Sequence, residues 1–189
     1  MIALLIIDMQ RGMRELSAGS RNNPQAELAI ATMLRAWRQA KAPIVHVRHV
    51  SRTPGSPFWP GQPGIEFQPD LQPLDSEHVV EKNVPDAFIH SGLERWLHVR
   101  GIESVAIVGV STNNSVEATA RTAGNLGFTT YVASDATFAF AKSDHNGVLR
   151  SAEDVHAMAL ANLNGEYARV LTSVELRERL QRSGVSPTP

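Results

Sequence analysis

The chain has no cysteine, which excludes disulfides, thiolate metal sites and thiol catalysis. It is also poor in lysine: of 18 basic residues only Lys41, Lys82 and Lys142 are lysines. A lysine at a chemically suggestive place therefore carries unusual weight. Neither sign of charge dominates, the formal net charge being -1, so electrostatics give no reason to expect nucleic acid or an anionic membrane as partner. The N-terminal apolar run from Ile2 to Ile7 stops at Asp8, too short for a membrane span or a signal-peptide core. A cytoplasmic protein is the default expectation.

What is present suits one globular domain. The chain's 189 residues, 42% apolar and 20% charged, are enough to bury roughly 70% of the surface of the unfolded chain. Residues 1–182 are expected to form a single domain, and 183–189, with two prolines and little to bury, a flexible tail.

Short apolar runs alternate with amphipathic segments. Ile2–Ile7 predicts a strand buried on both faces. Asn23-Pro24 predicts a helix start, with Ala26, Ile30, Met33, Leu34 and Trp37 at helical spacing. Strands follow at Ile44–Val50 and at His78–Glu81, the latter ending at Lys82. Between them runs a long Pro- and Gly-rich stretch, Ser51 to Pro73, whose aromatics favour a folded loop. Ser91-x-x-Glu94 reads as a capping box for a helix stopping near Gly101. Further strands are expected at Val105–Val110, Thr129–Ala133 and Ala168–Leu171. Helices are expected from about Asn114 to Leu126, over Ser151–Leu163, and at the end of the chain. Strands separated by helices imply right-handed crossovers and an α/β, doubly wound, three-layer sandwich. Its sheet would be six-stranded and mostly parallel, in the order 3-2-1-4-5-6.

In such sheets the ligand lies beyond the carboxyl ends of the strands, where strand order reverses. Asp8 follows the first strand, Lys82 closes the third, and Ser115 opens the helix after the fourth. Each alone has a bland explanation as turn, solvated or cap residue; together they converge on one edge. The segment Gly109-Val110-Ser111-Thr112-Asn113-Asn114-Ser115-Val116 runs from strand through a tight polar turn into a helix start. Unpaired N–H groups there suit an oxyanion or a carboxylate. The glycine-rich Gly-Lys-Ser/Thr ending of a phosphate loop and the G-x-S-x-G elbow are both missing.

These residues resemble the isochorismatase-like (cysteine hydrolase) superfamily, which includes nicotinamidases and N-carbamoylsarcosine amidohydrolases. Its first strand ends in Asp-x-Gln, here Asp8-Met9-Gln10; its lysine, followed by an aromatic, matches Lys82 and Phe88. Its third signature matches Gly109 to Val116, then Thr119, Ala120 and Ala123, and a later Asp-Ala matches Asp135-Ala136. The likeness spans roughly residues 2–172. It implies a hydrolase of a small amide or related C–N compound. Asp8 would be the general base, Lys82 the residue orienting it, and position 115 the nucleophile. It also implies an oxyanion hole from the N–H groups of Ser111 and Ser115, with a cis Val110–Ser111 bond. Gln10, Phe58, Trp59, Phe88 and Asn114 are the candidate substrate-binding residues. Homo-oligomers are the family's habit, and the expectation here by analogy.

One position departs from the family: Ser115 stands where its members carry the nucleophilic cysteine. A thiol of pKa about 8.5 is readily made a thiolate, whereas a serine hydroxyl normally needs a well-placed base, usually histidine. His49 is the one histidine whose position suggests reach, although a strand-edge role is its ordinary explanation. The isochorismatases proper also lack the cysteine and use the aspartate as an acid on a vinyl ether. That alternative stays open, as does a catalytically silent binding protein that keeps the pocket. Nicotinamidases further carry a metal on an Asp-x-His and another histidine. His46, His49 and Asp70 do not make that pattern, so neither metal nor other cofactor is expected, and the partner is a small-molecule substrate.

Overall fold

A computed structural model describes residues 1–15 and 20–184. In chain order the elements are β1 (Ile2–Ile7), α1 (Gly12–Glu15), α2 (Ala26–Gln39), β2 (Ile44–His49), β3 (His78–Lys82), α3 (Leu93–Val99) and β4 (Ser104–Val110). A π-helical turn, Thr112–Val116, then leads into α4 (Glu117–Asn125) and β5 (Thr129–Phe138). A two-residue-strand hairpin, β6 (Lys142–Ser143) and β7 (Leu149–Arg150), precedes α5 (Ala152–Leu163), β8 (Arg169–Leu171) and α6 (Ser173–Gly184).

The sheet has six strands in the order β3-β2-β1-β4-β5-β8, and all five pairings are parallel. This is the anticipated 3-2-1-4-5-6 order, β8 being its sixth strand. Side chains alternate across β1, so it feeds two cores. Leu4 and Ile6 pack with Ile30, Met33 and Trp37 of α2 and Leu176 of α6. Leu5 and Ile7 pack on the other side with Leu93 and Leu97 of α3 and Ala120 and Ala123 of α4. Each large apolar side chain so buried contributes roughly 1.5–3 kcal/mol. The Trp37 indole donates to the Ile2 carbonyl at 2.9 Å, so its one polar group is satisfied within the core.

Gly109 lets β4 come close to β1. Its φ is +118°, and a Cβ there would lie 2.1 Å from the Ile7 carbonyl oxygen.

Several local readings are corrected. Asn23 does not cap α2, whose cap position is Gln25. Its side chain instead donates to the carbonyls of Ser134 and Thr137, both at 2.7 Å, because the chain crosses β5 there. The Ser91–Glu94 capping box does not form: Gly92 caps α3 with φ +74° and no side-chain hydrogen bond. Ser151, by contrast, accepts from the Asp154 N–H at 3.1 Å and caps α5 as expected. β5 runs on to Phe138, past the expected Ala133, after a register shift against β4 between Ile107 and Gly109. The closing helix reaches Gly184, so residues 183 and 184 are helical; the rest of the anticipated tail, 185–189, lies outside the described residues. Among the described residues no helix is long and apolar enough to cross a membrane.

Candidate active site

The strand order reverses between β1 and β4, with β3 at the edge beyond β2, and one reactive side chain comes from each of the carboxyl end of β1, the carboxyl end of β3 and the turn after β4. Asp8 leaves β1 at φ +52°, in the left-handed region that costs most residues energy but that aspartate tolerates. Its N–H donates to the Val47 carbonyl at 2.9 Å, and its carbonyl accepts from the Gln10 N–H at 2.8 Å. That turn aims the carboxylate inward. The Lys82 Nζ donates to Asp8 Oδ2 at 2.7 Å and to Ser115 Oγ at 3.2 Å. All three side chains are buried: Asp8 is 1% exposed, Lys82 3% and Ser115 6%.

Ser115 reaches this point through the π-helical turn, in which the Ser111 carbonyl accepts from the N–H groups of Asn114 at 3.0 Å and Val116 at 3.2 Å. Such wide turns recur at functional sites. The Val110–Ser111 peptide bond is cis, as the resemblance implied. His156 of α5 holds the turn from outside, its Nδ1 hydrogen-bonded to Thr112 Oγ1 at 2.8 Å.

Electrostatically the carboxylate is only half satisfied. Asp8 Oδ1 is buried with no hydrogen-bond partner among the described residues. Burial pushes the Asp8 pKa up, against the opposing pull of the Lys82 ammonium and the Ser115 hydroxyl. The result is a carboxylate more basic than usual, one atom from a hydroxyl that carries a transferable proton.

A cavity of about 330 Å³ opens over these groups, with Asp8, Ser111, Asn114 and Ser115 in its wall. Of the candidate substrate-binding residues, Phe58 and Asn114 line it. Gln10 does not, being spent on main chain: its Nε2 donates to the carbonyls of His49 at 2.9 Å and Ile65 at 3.0 Å. Phe88 packs in the core against Phe128. Trp59 is half-buried within the long loop, its main chain engaged with Ser56 and Gln62. His49, Asn83, Pro85 and Phe140 line the cavity without having been singled out as substrate contacts. Adjacency to Lys82 could have signalled Asn83 and Pro85. Nothing in the sequence signals Phe140, because it depends on the unforeseen extension of β5.

The other matched motif residues hold structure around the site. Thr119 Oγ1 accepts from the Ala87 N–H at 3.1 Å, tying the segment after Lys82 to α4. Asp135 accepts from the N–H and hydroxyl of Ser173 at 2.6 and 2.7 Å, fixing the start of α6. A larger cavity of about 770 Å³ lies between α5 and the β6–β7 hairpin, but neither Asp8, Lys82 nor Ser115 lines it.

His46 lies in a second buried cluster. Its Nε2 sits 2.9 Å from Glu77 Oε2, and Glu77 also receives Arg38 Nε at 2.7 Å, Arg38 Nη2 at 2.9 Å and the Leu74 N–H at 2.9 Å. Burial opposes ionisation of Glu77, but these donors outweigh it and lower its pKa to about 2. With a carboxylate as its partner, neutral His46 carries its proton on Nε2. Among the described residues no three His, Cys, Asp or Glu side chains are grouped to hold a metal ion.

Comparison with known proteins agrees with this architecture. The model of the isochorismatase domain matches residues 2–174. The uncharacterised isochorismatase family protein YrdC of Bacillus subtilis is 37% identical over 174 residues, covering 92% of this chain and 93% of its own. Nicotinamidase 3 of Arabidopsis thaliana is 28% identical over 191 residues, covering 94% of this chain and 88% of its own. The crystal structure of an isochorismatase-family protein from Chromobacterium violaceum superposes with a TM-score of 0.92 at 49% identity, covering 95% of this chain and 93% of that one. The chain belongs to the isochorismatase family of hydrolases.

Proposed function

We propose that this protein hydrolyses a small amide or a related C–N compound by acyl transfer through Ser115. The observation that carries the reading is the buried, bridging ammonium of Lys82, held 2.7 Å from Asp8 and 3.2 Å from Ser115, the two of which line an open cavity. Because Lys82 donates to Ser115 Oγ, the serine keeps its own hydrogen for Asp8. In the first step Ser115 Oγ bonds to the substrate carbonyl carbon as its proton passes to Asp8. The tetrahedral adduct then expels the amine, which takes that proton, and Asp8 returns to its charged form. The N–H groups of Ser111 and Ser115 would receive the developing oxyanion. A pair of such donors accounts for a factor of roughly 10²–10³ per donor, and the positioned acid–base for roughly 10²–10⁴. A nicotinamidase among the relatives, by its name an enzyme of a primary amide, supports the substrate class. Assembly into a homo-oligomer in the cytoplasm, with 1–182 as one domain, belongs to the same reading.

The raised pKa of Asp8 and its unpartnered Oδ1 also favour a second reading, in which Asp8 acts as an acid on a vinyl ether with no nucleophile. Ammonia release from a panel of primary amides and ureas, by the wild type and Ser115→Cys, tests the first. Turnover that rises with cysteine and vanishes in Ser115→Ala is the expected result. Silence from both proteins on the panel refutes amide hydrolysis; activity that survives Ser115→Ala establishes the non-covalent route.

A further inference from the structure

Acyl transfer through Ser115 leaves one titratable side chain in the cavity without a task. His49 shares the cavity wall with Asp8 and Ser115. Its imidazole has no hydrogen-bond partner among the described residues and rests edge-on against Phe58, with ring centroids 6.0 Å apart. Other histidines of the sheet and its helices are occupied: His46 by Glu77, His156 by Thr112, and His78 by stacking on Trp96.

The main chain of His49 is gripped from both sides by Gln10. The Gln10 amide donates to the His49 carbonyl at 2.9 Å and accepts from the His49 N–H at 2.8 Å, and Gln10 itself is fully buried. A side chain that satisfies both main-chain groups of a strand-end residue fixes the direction in which that residue points. Gln10 thus serves the site through a residue 39 positions away, rather than by touching substrate.

We propose that His49 is the general base of the hydrolytic half-reaction, taking a proton from the water that attacks the Ser115 ester; the inference rests on the acyl-transfer reading. In that step the water oxygen bonds to the acyl carbon while its proton passes to the imidazole. The bond from that carbon to Ser115 Oγ then breaks, and the imidazolium returns the proton to Oγ. Acid and free serine result, with no other reactant consumed. The imidazole is kept neutral, hence able to accept, by burial and by the Lys82 charge, with Asp8 opposing. A serine ester is also less reactive toward water than a thioester, so its breakdown has more need of a base.

The test uses the full chain and p-nitrophenyl acetate, comparing the wild type with His49→Gln, His49→Asn and His49→Ala. Release of p-nitrophenolate is followed from the first turnover, and intact mass reports acetylated protein. Expected are an initial acylation near the wild-type rate in the variants and a steady state slower by about 10²-fold. Acetyl enzyme should accumulate, and added imidazole should restore turnover to His49→Ala. Parallel loss of acylation and turnover, or turnover unchanged in variants that match the wild type in thermal midpoint, overturns the assignment. Should one variant fold poorly, imidazole rescue of another decides. If the wild type and Ser115→Cys both form no adduct at position 115, the acyl-transfer reading fails and this inference with it.

Discussion

Two carboxylates, Asp8 just after β1 and Glu77 just before β3, flank strands of the same sheet, each beside a cation and a histidine, and their chemistry diverges. Glu77 accepts four hydrogen bonds, from two Arg38 nitrogens, the Leu74 N–H and His46. Its pKa falls to about 2. Asp8 accepts one from Lys82, keeps Oδ1 unpartnered, and its pKa is raised. Satisfaction, not identity of the partners, separates them. A fully bonded carboxylate is inert and structural, whereas a half-bonded one beside an open cavity is poised to move a proton.

Asp8→Asn should produce the largest effect: amide turnover falling roughly 10³-fold in kcat. Its urea midpoint should shift less than that of Glu77→Gln, because burial disfavours the charge that is lost at Asp8, whereas the fold favours the one lost at Glu77. Glu77→Gln should do the reverse, costing about 2 kcal/mol in urea unfolding while kcat stays within a few-fold of wild type. Equal loss of activity from both variants would erase the distinction.

Acid should separate the two sites by sign. Glu77 holds its proton more weakly folded than unfolded, so its stabilisation is present above its ordinary 4.5 and is lost as pH falls toward about 2. His46, whose pKa burial lowers from 6.5 despite Glu77, adds a loss of the same sign below that value. Asp8 is raised from 3.8, so the folded state gains relative stability as pH falls through that range. Thermal midpoints measured from pH 7 to 3 should therefore decline in the wild type. The fall below pH 4.5 should flatten in Glu77→Gln and steepen in Asp8→Asn. A third carboxylate gives the baseline: Glu81, paired with Arg48 but 56% exposed, should cost under about 0.5 kcal/mol when changed to glutamine.

Much of this was legible in the chain because it is local. The unbroken apolar run of β1, the alternation of strands and helices, and Ser151 three residues before Asp154 report directly on backbone pairing and capping. Asp8, Lys82 and Ser115 were legible as a set because each follows or ends a strand of a parallel sheet. Gln10 and Phe88 were misplaced as substrate contacts for the opposite reason. Gln10 meets His49 and Ile65, 39 and 55 positions away, and Phe88 turns into the core toward Phe128. Both outcomes depend on how loops close over the sheet, which no local pattern records.

By itself the sequence determined the sheet order, the edge on which chemistry gathers and the residues that approach it, since strand burial and crossover handedness are properties of short segments. Only the tertiary structure decided which polar atoms stay unsatisfied. Arg38, His46 and Glu77 come from two different elements and the loop before β3, and together they satisfy the Glu77 carboxylate; Asp8 Oδ1 stays buried without a partner, and His49 lines the cavity beside it. Hydrogen-bond satisfaction is a count over atoms brought together from distant positions, and that count exists only once the chain has packed.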